Sequence, residues 1–294
     1  MTIRIHSSIH ELRASFHDRG SEPVILVPTM GALHTGHEVL IHRAKEVAPA
    51  LVPALQSGPV PPRIIVSIFV NPLQFGPKED FARYPRDLQR DAAIGQSAGA
   101  TDIFAPSPEE LTPGDVTTSV DPGSLANVLC GPFRPGHFRG VCTIVLKLFN
   151  VVQPTHAIFG WKDAQQFIIL RKMVKDLNLP IEMIGVETER ESDGLAMSSR
   201  NAYLSPEERR IAPALHRTLE ELREALLCGA ILPADTEAFA RVRLQTAGIT
   251  PIDYVQLVSA GTLGAPEPTG ELLLAGAMRL GTTRLIDNVR FFIP

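Results

Sequence analysis

Apolar runs alternate with amphipathic stretches through the first two-thirds of the 294-residue chain. The runs are short and rich in β-branched residues, which is typical of buried strands, and the stretches between them repeat apolar residues at helical spacing. The predicted strands are 24–27, 64–70, 102–105, 156–159 and 181–186. The predicted helices begin near residue 38 and cover 85–98, 140–152 and 163–177. This alternation predicts an α/β domain with a doubly wound parallel sheet, in which ligands bind beyond the carboxyl ends of the strands.

The last third of the chain places helices first and strands afterwards. Ser205 and Glu208 form a capping box around Pro206, which predicts a helix from there to about Cys228, and a second helix covers 235–247. The predicted strands of this part are 253–258, 271–278 and 283–291. The chain is therefore expected to form a Rossmann-like domain over 1–187 and a smaller α+β domain, with a three-stranded antiparallel sheet, over 188–294.

Composition narrows the class of protein. A hydrophobic fraction of 44% suits a globular protein with a sizeable core, and a net charge of -4 argues against nucleic acid or an anionic membrane as a partner. The sequence shows neither a secretory signal nor an apolar stretch of about 20 residues. Three scattered cysteines without a CxxC pair predict reduced, buried thiols in a cytoplasmic protein. The Pro-rich stretch 48–62 is predicted to be a surface loop.

The segment PTMGALHTGH, residues 28–37, contains the clearest candidate chemistry. His34 and His37 lie where a predicted strand ends and a predicted helix begins, so that two imidazoles accompany the N–H groups of a helix N-terminus. Gly31 and Gly36 allow the backbone to approach a ligand closely. This arrangement suits a phosphate, whereas an isolated His-x-x-His pair is also found by chance on surfaces or as a weak metal site.

A glutamine follows the second predicted strand in VNPLQFG, residues 70–76. Gln74 is expected at the carboxyl edge of the sheet, beside the loop of His34 and His37. Its amide both donates and accepts hydrogen bonds, which suits a hydroxy acid. The alternative is a solvated glutamine in a turn.

The segment GWKDAQQF, residues 160–167, follows a later strand in the same way. Lys162 there could neutralise a triphosphate, and Asp163 could cap the next helix or hold a ribose hydroxyl. Gln166 lies three residues after Asp163 and so on the same helix face. The alternative is an ordinary N-capped helix that carries a surface lysine.

Two further segments carry polar groups. MSSRN, residues 197–201, combines two hydroxyls with an arginine fork and suits phosphate recognition, although serine-rich segments are also common in plain loops. RPGHFRG, residues 134–140, is either a loop that closes over a site or an ordinary connection. Asp87 and Asp91 are one helical turn apart; they could face a metal-bound nucleotide, but a solvated helix face is the favoured interpretation. The remaining histidines are expected to be structural or to lie on the surface.

With these residues in view, the chain resembles the pantoate–β-alanine ligase family along nearly its whole length. The His-Thr-Gly-His element alone is also shared with the wider nucleotidyltransferase-like superfamily, but seven segments in the family's order are specific. These segments are PTMGALHTGH, VSIFVNPLQFG, YPRDLQRD, RPGHFRGV, FGWKDAQQF, DGLAMSSRNAYL and TRLIDN.

The resemblance implies a two-step ligase reaction of pantothenate biosynthesis. Pantoate and ATP would first give pantoyl adenylate and pyrophosphate, and the amine of β-alanine would then displace AMP to form pantothenate. Family members use Mg²⁺ and are typically homodimers. A lid formed by the smaller domain would keep water from the reactive adenylate.

The resemblance also implies roles for individual residues. His37 is the implied proton donor, with His34, Lys162 and Arg200 as further catalytic residues, while Gln74 and Gln166 hold pantoate and Gln74 also lies near β-alanine. The implied ATP-binding residues are Met30, Gly31, Ala32, Leu33, His34, Thr35, Gly36, His37, Gly160, Trp161, Lys162, Asp163, Glu189, Met197, Ser198, Ser199 and Arg200. The chain departs from the family at Trp161, where glutamate is usual, and at Glu189, where a small or apolar residue is usual.

Three functions remain open from sequence. An acid–amine ligase is favoured, since paired glutamines provide for an acid substrate. A nucleotidyltransferase would keep the nucleotide on its product, and an ATP-sensing module of the same fold would catalyse no reaction.

Overall fold

The computed structural model describes residues 2–16, 23–48, 62–77 and 79–294. The predicted surface loop at 48–62 falls almost entirely outside the described residues, as does His17. The chain forms two compact units: the first contains the described residues of 1–122, 136–161 and 170–187, and the second contains 123–135, 162–169 and 188–294. The chain passes for the last time into the second unit between residues 187 and 188. The sequence pattern does not indicate that 123–135 and 162–169 also belong to the second unit.

The first unit contains a parallel sheet of six strands, which confirms the predicted fold class. The strands are β1 (Arg4–His6), β2 (Val24–Thr29), β3 (Arg63–Ile68), β4 (Asp102–Phe104), β5 (His156–Gly160) and β6 (Glu182–Val186). Their order across the sheet is β1-β4-β3-β2-β5-β6, and every neighbouring pair is parallel. From β2 the chain extends to one side through β3 and to the other side through β5. The carboxyl ends of β2 and β5 therefore flank the switch point at which ligands bind in such sheets.

Helices flank this sheet. They are α1 (Ile9–Ala14), α2 (Thr35–Val47), α3 (Leu88–Ala98), α4 (Pro108–Leu111), α5 (His137–Val152) and α6 (Ala164–Asp176). The first part of α6, up to residue 169, belongs to the second unit. Helix α2 packs against α3, and α1 packs against α5. Because parallel crossovers are right-handed, the reversal of direction after β4 places α5 on the opposite face from α2 and α3. A core of β-branched and aliphatic residues lies beneath α2, including Ile25, Ile41, Val66 and Ile103.

The edge strand β1 is not predicted from the sequence, and a buried carboxylate attaches it. Asp102 in β4 accepts hydrogen bonds from His6 Nε2 at 2.8 Å and from Arg4 at 3.0 Å, and it also pairs with Arg63 and with the hydroxyl of Thr101. Burial acts to raise the pKa of Asp102, but the hydrogen bonds from His6, Arg63 and Thr101 outweigh it and hold this pKa well below its usual range. The ionised carboxylate thus joins β1, β3 and β4.

We expect Asp102→Asn to lower the free energy of unfolding by about 3–5 kcal/mol, because it leaves the guanidinium of Arg63 buried without its countercharge. Urea unfolding at neutral pH measures this loss. Arg4→Ala is the matched control, since the Arg4 side chain is 50% exposed and its ion pair with the same carboxylate is expected to contribute no more than about 1 kcal/mol. Equal losses in the two variants would contradict this ranking.

The second unit contains the antiparallel sheet that the sequence predicts. Its strands are β7 (Ile252–Ser259), β8 (Gly270–Leu280) and β9 (Thr283–Ile293), in the order β7-β8-β9. Its further helices are α7 (Pro206–Ile211), α8 (Ala214–Leu227) and α9 (Thr236–Thr246). Leu219 and Leu222 of α8 and Leu244 of α9 pack in one core with Leu274 and Val289 of the sheet.

The continuous helix predicted from Ser205 to Cys228 is wrong. The capping box of Ser205 and Glu208 is present, but the helix ends at Ile211 and α8 begins at Ala214. Pro213 explains the break, because proline has no N–H for the helical hydrogen bond and its ring clashes with the preceding turn.

Cys130 and Cys142 are buried, as predicted, but Cys228 is exposed at the end of α8, so that prediction is wrong for Cys228. None of the three forms a disulfide. Within the described ranges of the chain, the structure has no helix with the length and apolar character needed to span a bilayer.

Candidate active-site residues

Both histidines lie where β2 leads into α2, as the sequence predicts: His34 precedes the helix and His37 is in its first turn. His34 is the N-cap of α2, and its Nδ1 accepts a hydrogen bond from the backbone N–H of Gly36 at 3.2 Å. His37 Nδ1 in turn accepts from the backbone N–H of His34 at 3.3 Å. The two rings lie 4.0 Å apart between centroids. The histidines thus form a reciprocal capping box, which the His-Thr-Gly-His spacing does not by itself predict.

This cap fixes the tautomer of both rings. An Nδ1 atom that accepts a hydrogen bond carries no proton, so the neutral ring carries its proton on Nε2. Each imidazole is therefore a hydrogen-bond donor at Nε2, next to the positive end of the α2 dipole. Donors of this kind stabilise negative charge that develops on a phosphate oxygen.

A buried carboxylate fixes the loop before the histidines. Asp91 of α3 is 1% exposed, and its Oδ1 accepts from the backbone N–H of Leu33 at 2.7 Å. Burial raises the pKa of Asp91. Gly31 has a φ of +67°, and a Cβ there would lie 2.5 Å from Asp91 Oδ2, so the loop requires glycine at this position. The expected solvated helix face is wrong for Asp91, whereas Asp87 is the N-cap of α3 and accepts from the N–H of Arg90.

Gln74 lies beside this loop, as predicted. It ends the 3₁₀ turn Pro72–Gln74, and its Nε2 lies 3.0 Å from Met30 Sδ. Its Oε1 accepts a hydrogen bond from Asn71 Nδ2 at 3.1 Å. The amide of Gln74 is therefore oriented by the protein on both sides, and the interpretation as an ordinary solvated turn residue is not supported.

The RPGHFRG segment holds the Gln74 turn in place. His137, in the middle of this segment, opens α5, and its Nδ1 donates to the backbone carbonyl of Gln74 at 2.9 Å. Asn71 Nδ2 also donates to the carbonyl of Gly140 at 3.2 Å. A Cβ at Gly140 would lie 2.1 Å from the carbonyl oxygen of Leu73, so glycine is needed for this close approach. The sequence leaves the role of this segment open and does not indicate that it holds the turn of Gln74.

Lys162 lies two residues after the end of β5, in the 3₁₀ turn Trp161–Asp163. Its side chain is 24% exposed, and its Nζ lies 3.5 Å from Asp163 Oδ1. Trp161 is buried.

Gln166 is half-buried on α6, and its neighbour Gln165 is 6% exposed. The side chain of Gln165 forms hydrogen bonds with backbone groups of residues 123–133, among them the N–H of Cys130. Gln165 is thus structural.

Ser198, Ser199 and Arg200 lie in a turn that is held by hydrogen bonds. The backbone N–H of Met197 donates to the carbonyl of Glu189 at 2.9 Å, so a hairpin-like loop ends where the motif begins. Ser198 Oγ then accepts from the N–H of Arg200 at 3.3 Å and caps the 3₁₀ turn Ser199–Tyr203, which packs against β9. Glu189 contributes its backbone to this turn, whatever its side chain.

The structure thus groups the predicted residues within each unit. In the first unit, the Met30–His37 loop meets Gln74. In the second unit, strand β9 contacts three turns that carry predicted residues. They are the turn of Lys162 and Asp163, the turn that joins Glu189 to Met197, and the turn of Ser198 to Arg200. Among the residues that the structure describes, no group of three or more His, Cys, Asp or Glu side chains is arranged to hold a metal ion.

Known proteins match the chain over nearly its full length. The family model described as pantoate-beta-alanine ligase matches residues 3–290. The pantothenate synthetase of Carboxydothermus hydrogenoformans is 47% identical over 290 residues, which cover 97% of this chain and 98% of that protein. Pantothenate synthetase 1 of Bradyrhizobium diazoefficiens is 48% identical over 291 residues, with 98% of each chain covered.

Solved structures agree with these sequence matches. The crystal structure of pantothenate synthetase from Thermus thermophilus has a TM-score of 0.86 and 43% identity, and the match covers 98% of this chain and 99% of that one. A pantoate-beta-alanine ligase from Francisella tularensis, complexed with beta-gamma ATP and beta-alanine, has a TM-score of 0.75 and 31% identity, with 98% and 97% covered. On these grounds the chain belongs to the pantoate–β-alanine ligase family.

Proposed function

We propose that the chain condenses pantoate with β-alanine in two chemical steps. In the first, a pantoate carboxylate oxygen attacks the α-phosphorus of ATP and pyrophosphate leaves. In the second, the β-alanine amine attacks the acyl carbon of pantoyl adenylate, and AMP leaves with the oxygen that pantoate brought to phosphorus. The family match over residues 3–290 is the observation that carries this proposal.

The first step places negative charge on the phosphoryl oxygens, so donors and cations should contribute most to catalysis. We assign this role to the Nε2–H groups of His34 and His37, to the ammonium of Lys162 and to the guanidinium of Arg200. The capping box supports the histidine assignment, because a neutral ring that accepts a hydrogen bond at Nδ1 carries its proton on Nε2. In this proposal His37, the proton donor that the family resemblance implies, directs its Nε2–H at a phosphate oxygen.

ATP is proposed to bind at the segments that the family resemblance indicates. These are Met30–His37, Gly160–Asp163, Glu189 and Met197–Arg200. The N-terminus of α2 supplies backbone N–H groups for phosphate, and the capped turn after Ser198 supplies hydroxyls and further N–H groups. Gln74 and Gln166 are proposed to hold pantoate, and Gln74 is also placed near β-alanine.

Three further proposals rest on the resemblance. Mg²⁺ would accompany ATP, the protein would be a homodimer, and it would act in the cytoplasm. The described residues offer no acidic or histidine cluster for the metal, so we assign it no protein ligand and derive no step through it. Magnesium in nucleotide enzymes is commonly held largely by phosphates and water.

An isotope experiment tests the route. Pantoate labelled with ¹⁸O in its carboxylate is incubated with ATP, Mg²⁺ and β-alanine, and the products are analysed by mass spectrometry. The proposed route transfers one ¹⁸O to AMP, because the bond to the acyl carbon is the one that breaks. Label in inorganic phosphate would instead show an acyl phosphate route and would contradict the proposal.

We expect Gln74→Ala to raise the KM for pantoate by about 10- to 100-fold, since it removes a preoriented hydrogen-bonding amide. The effect on the KM for ATP should be smaller. Steady-state kinetics with each substrate varied in turn measures both constants. Gln96→Ala is the control: Gln96 of α3 accepts a hydrogen bond from the backbone N–H of Ile3, and its loss should leave both constants unchanged. An unaltered pantoate dependence in Gln74→Ala would remove Gln74 from the substrate site.

A further inference from the structure

Two successive polar side chains of β9, Asp287 and Asn288, are almost completely buried, at 5% and 7% exposure. They end the TRLIDN segment, to which the proposed reaction assigns no role. Side chains alternate between the two faces of a strand, so Asp287 shares the core face with Leu285 and Val289, and Asn288 lies on the other face. Burying polar groups on both faces is costly unless each has hydrogen-bond partners.

Asn288 has its partner in the turn that carries Lys162. The side-chain Nδ2 of Asn288 donates to the backbone carbonyl of Lys162 at 3.1 Å. Both residues belong to the second unit. The bond joins groups 126 residues apart and fixes the backbone from which the Lys162 side chain extends. The position of the Lys162 ammonium depends on the position of its Cα, so fixing the backbone there restricts where the ammonium can lie.

Asp287 anchors a second turn of the same unit. Its carboxylate binds Arg190 in a bidentate pair, at 2.7 and 2.9 Å, and Arg190 also donates to the carbonyl of Asn288 at 3.2 Å. Arg190 follows Glu189, whose carbonyl accepts from the N–H of Met197. The two neighbouring residues of β9 therefore fix two turns that hold proposed ATP-binding residues.

We propose that Asn288 is a positioning residue for Lys162. Its amide holds the Lys162 carbonyl so that the ammonium is directed at the triphosphate, and Asn288 itself contacts no reacting atom. This inference rests on the proposed role of Lys162. Misplacing a catalytic group by about 1 Å can cost about 100-fold in rate, so loss of the bond should lower the kcat for adenylate formation by about 10- to 100-fold.

The test is a double-mutant cycle that follows steady-state pyrophosphate release at saturating ATP, Mg²⁺ and pantoate, with β-alanine varied up to saturation. Asn288→Leu keeps the side-chain volume but removes the donor. It should lower kcat by about 10- to 100-fold in the wild-type background and by less than about 2-fold in the Lys162→Ala background, because no ammonium is then left to position. The kcat/KM for β-alanine, which reports only the second step, should stay unchanged throughout.

Two outcomes would overturn the inference: an equal loss in both backgrounds, which marks a purely structural role, or no loss in the wild-type background. Val289→Ala is the control for general damage, because it removes buried methyl groups from the neighbouring residue; it should give the same small effect in both backgrounds. Full activity of Lys162→Ala alone would instead refute the proposed role of Lys162, so the two failures are distinguishable.

Discussion

Lys162→Ala is expected to lower the rate of pyrophosphate release by about 100- to 1,000-fold, the usual consequence of removing one preorganised group that stabilises transition-state charge. The lysine side chain is 24% exposed, and it forms an ion pair with the adjacent Asp163. The fold does not depend on a buried ammonium here, so the free energy of unfolding should change by no more than about 0.5 kcal/mol. Single-turnover assays and urea unfolding measure the two quantities.

Lys172→Ala is the matched control for this variant. Lys172 lies on α6, a few turns along the same segment, and pairs with Asp176 at the surface with 55% of its side chain exposed. Removing it eliminates the same charge from the same part of the chain but should leave pyrophosphate release at the wild-type rate. A comparable loss in both variants would show that net charge, rather than the position of Lys162, is responsible.

His37→Ala is the second variant with a large expected effect. It removes the Nε2 donor, which should lower pyrophosphate release by about 100- to 1,000-fold. It also removes the acceptor for the N–H of His34 and so should cost about 0.5–2 kcal/mol of stability through the lost cap. His37→Asn separates the two effects, because its carbonyl can still accept that N–H while it lacks the imidazole donor. It should regain most of the stability and little of the activity.

His42→Ala is the control on the same helix, since His42 is an exposed residue of α2. It should have wild-type activity and stability. Near-wild-type turnover in His37→Asn would mean that His37 serves the protein as a helix cap and not as a phosphate donor, and its assigned role would then be wrong.

The main architecture follows from local patterns in the sequence. The strand–helix alternation predicts the parallel sheet because β-branched runs such as 64–70 match β3, and the apolar spacing over 140–152 matches most of α5. The strand β1 is missed because three residues carry too little pattern, and Asp102, almost a hundred residues later, supplies its partner. The break at Pro213 has a local signal, the proline itself, which the prediction of one helix from Ser205 to Cys228 did not take into account.

The candidate site is predicted less completely, because much of its support is long-range. The phosphate-binding turn at His34 and His37 is indicated by its own residues and by the strand and helix around it. The carboxylate of Asp91 reaches the N–H of Leu33 across 58 residues, and the pattern of its own helix predicts a solvated face instead. The contact of Asn288 with Lys162 has the same origin: nothing near either residue in the sequence indicates the other.

Product accounting tests the central claim most directly. The purified protein is incubated with ATP, Mg²⁺ and pantoate, β-alanine is then added, and pyrophosphate, AMP and ADP are quantified. The ligase assignment predicts pyrophosphate in an amount close to that of the enzyme before the addition, and AMP and pyrophosphate in equal, continuing amounts after it. Continuous pyrophosphate release without AMP would indicate a nucleotidyltransferase, no release of either product would indicate an ATP-binding module, and either result would contradict the account.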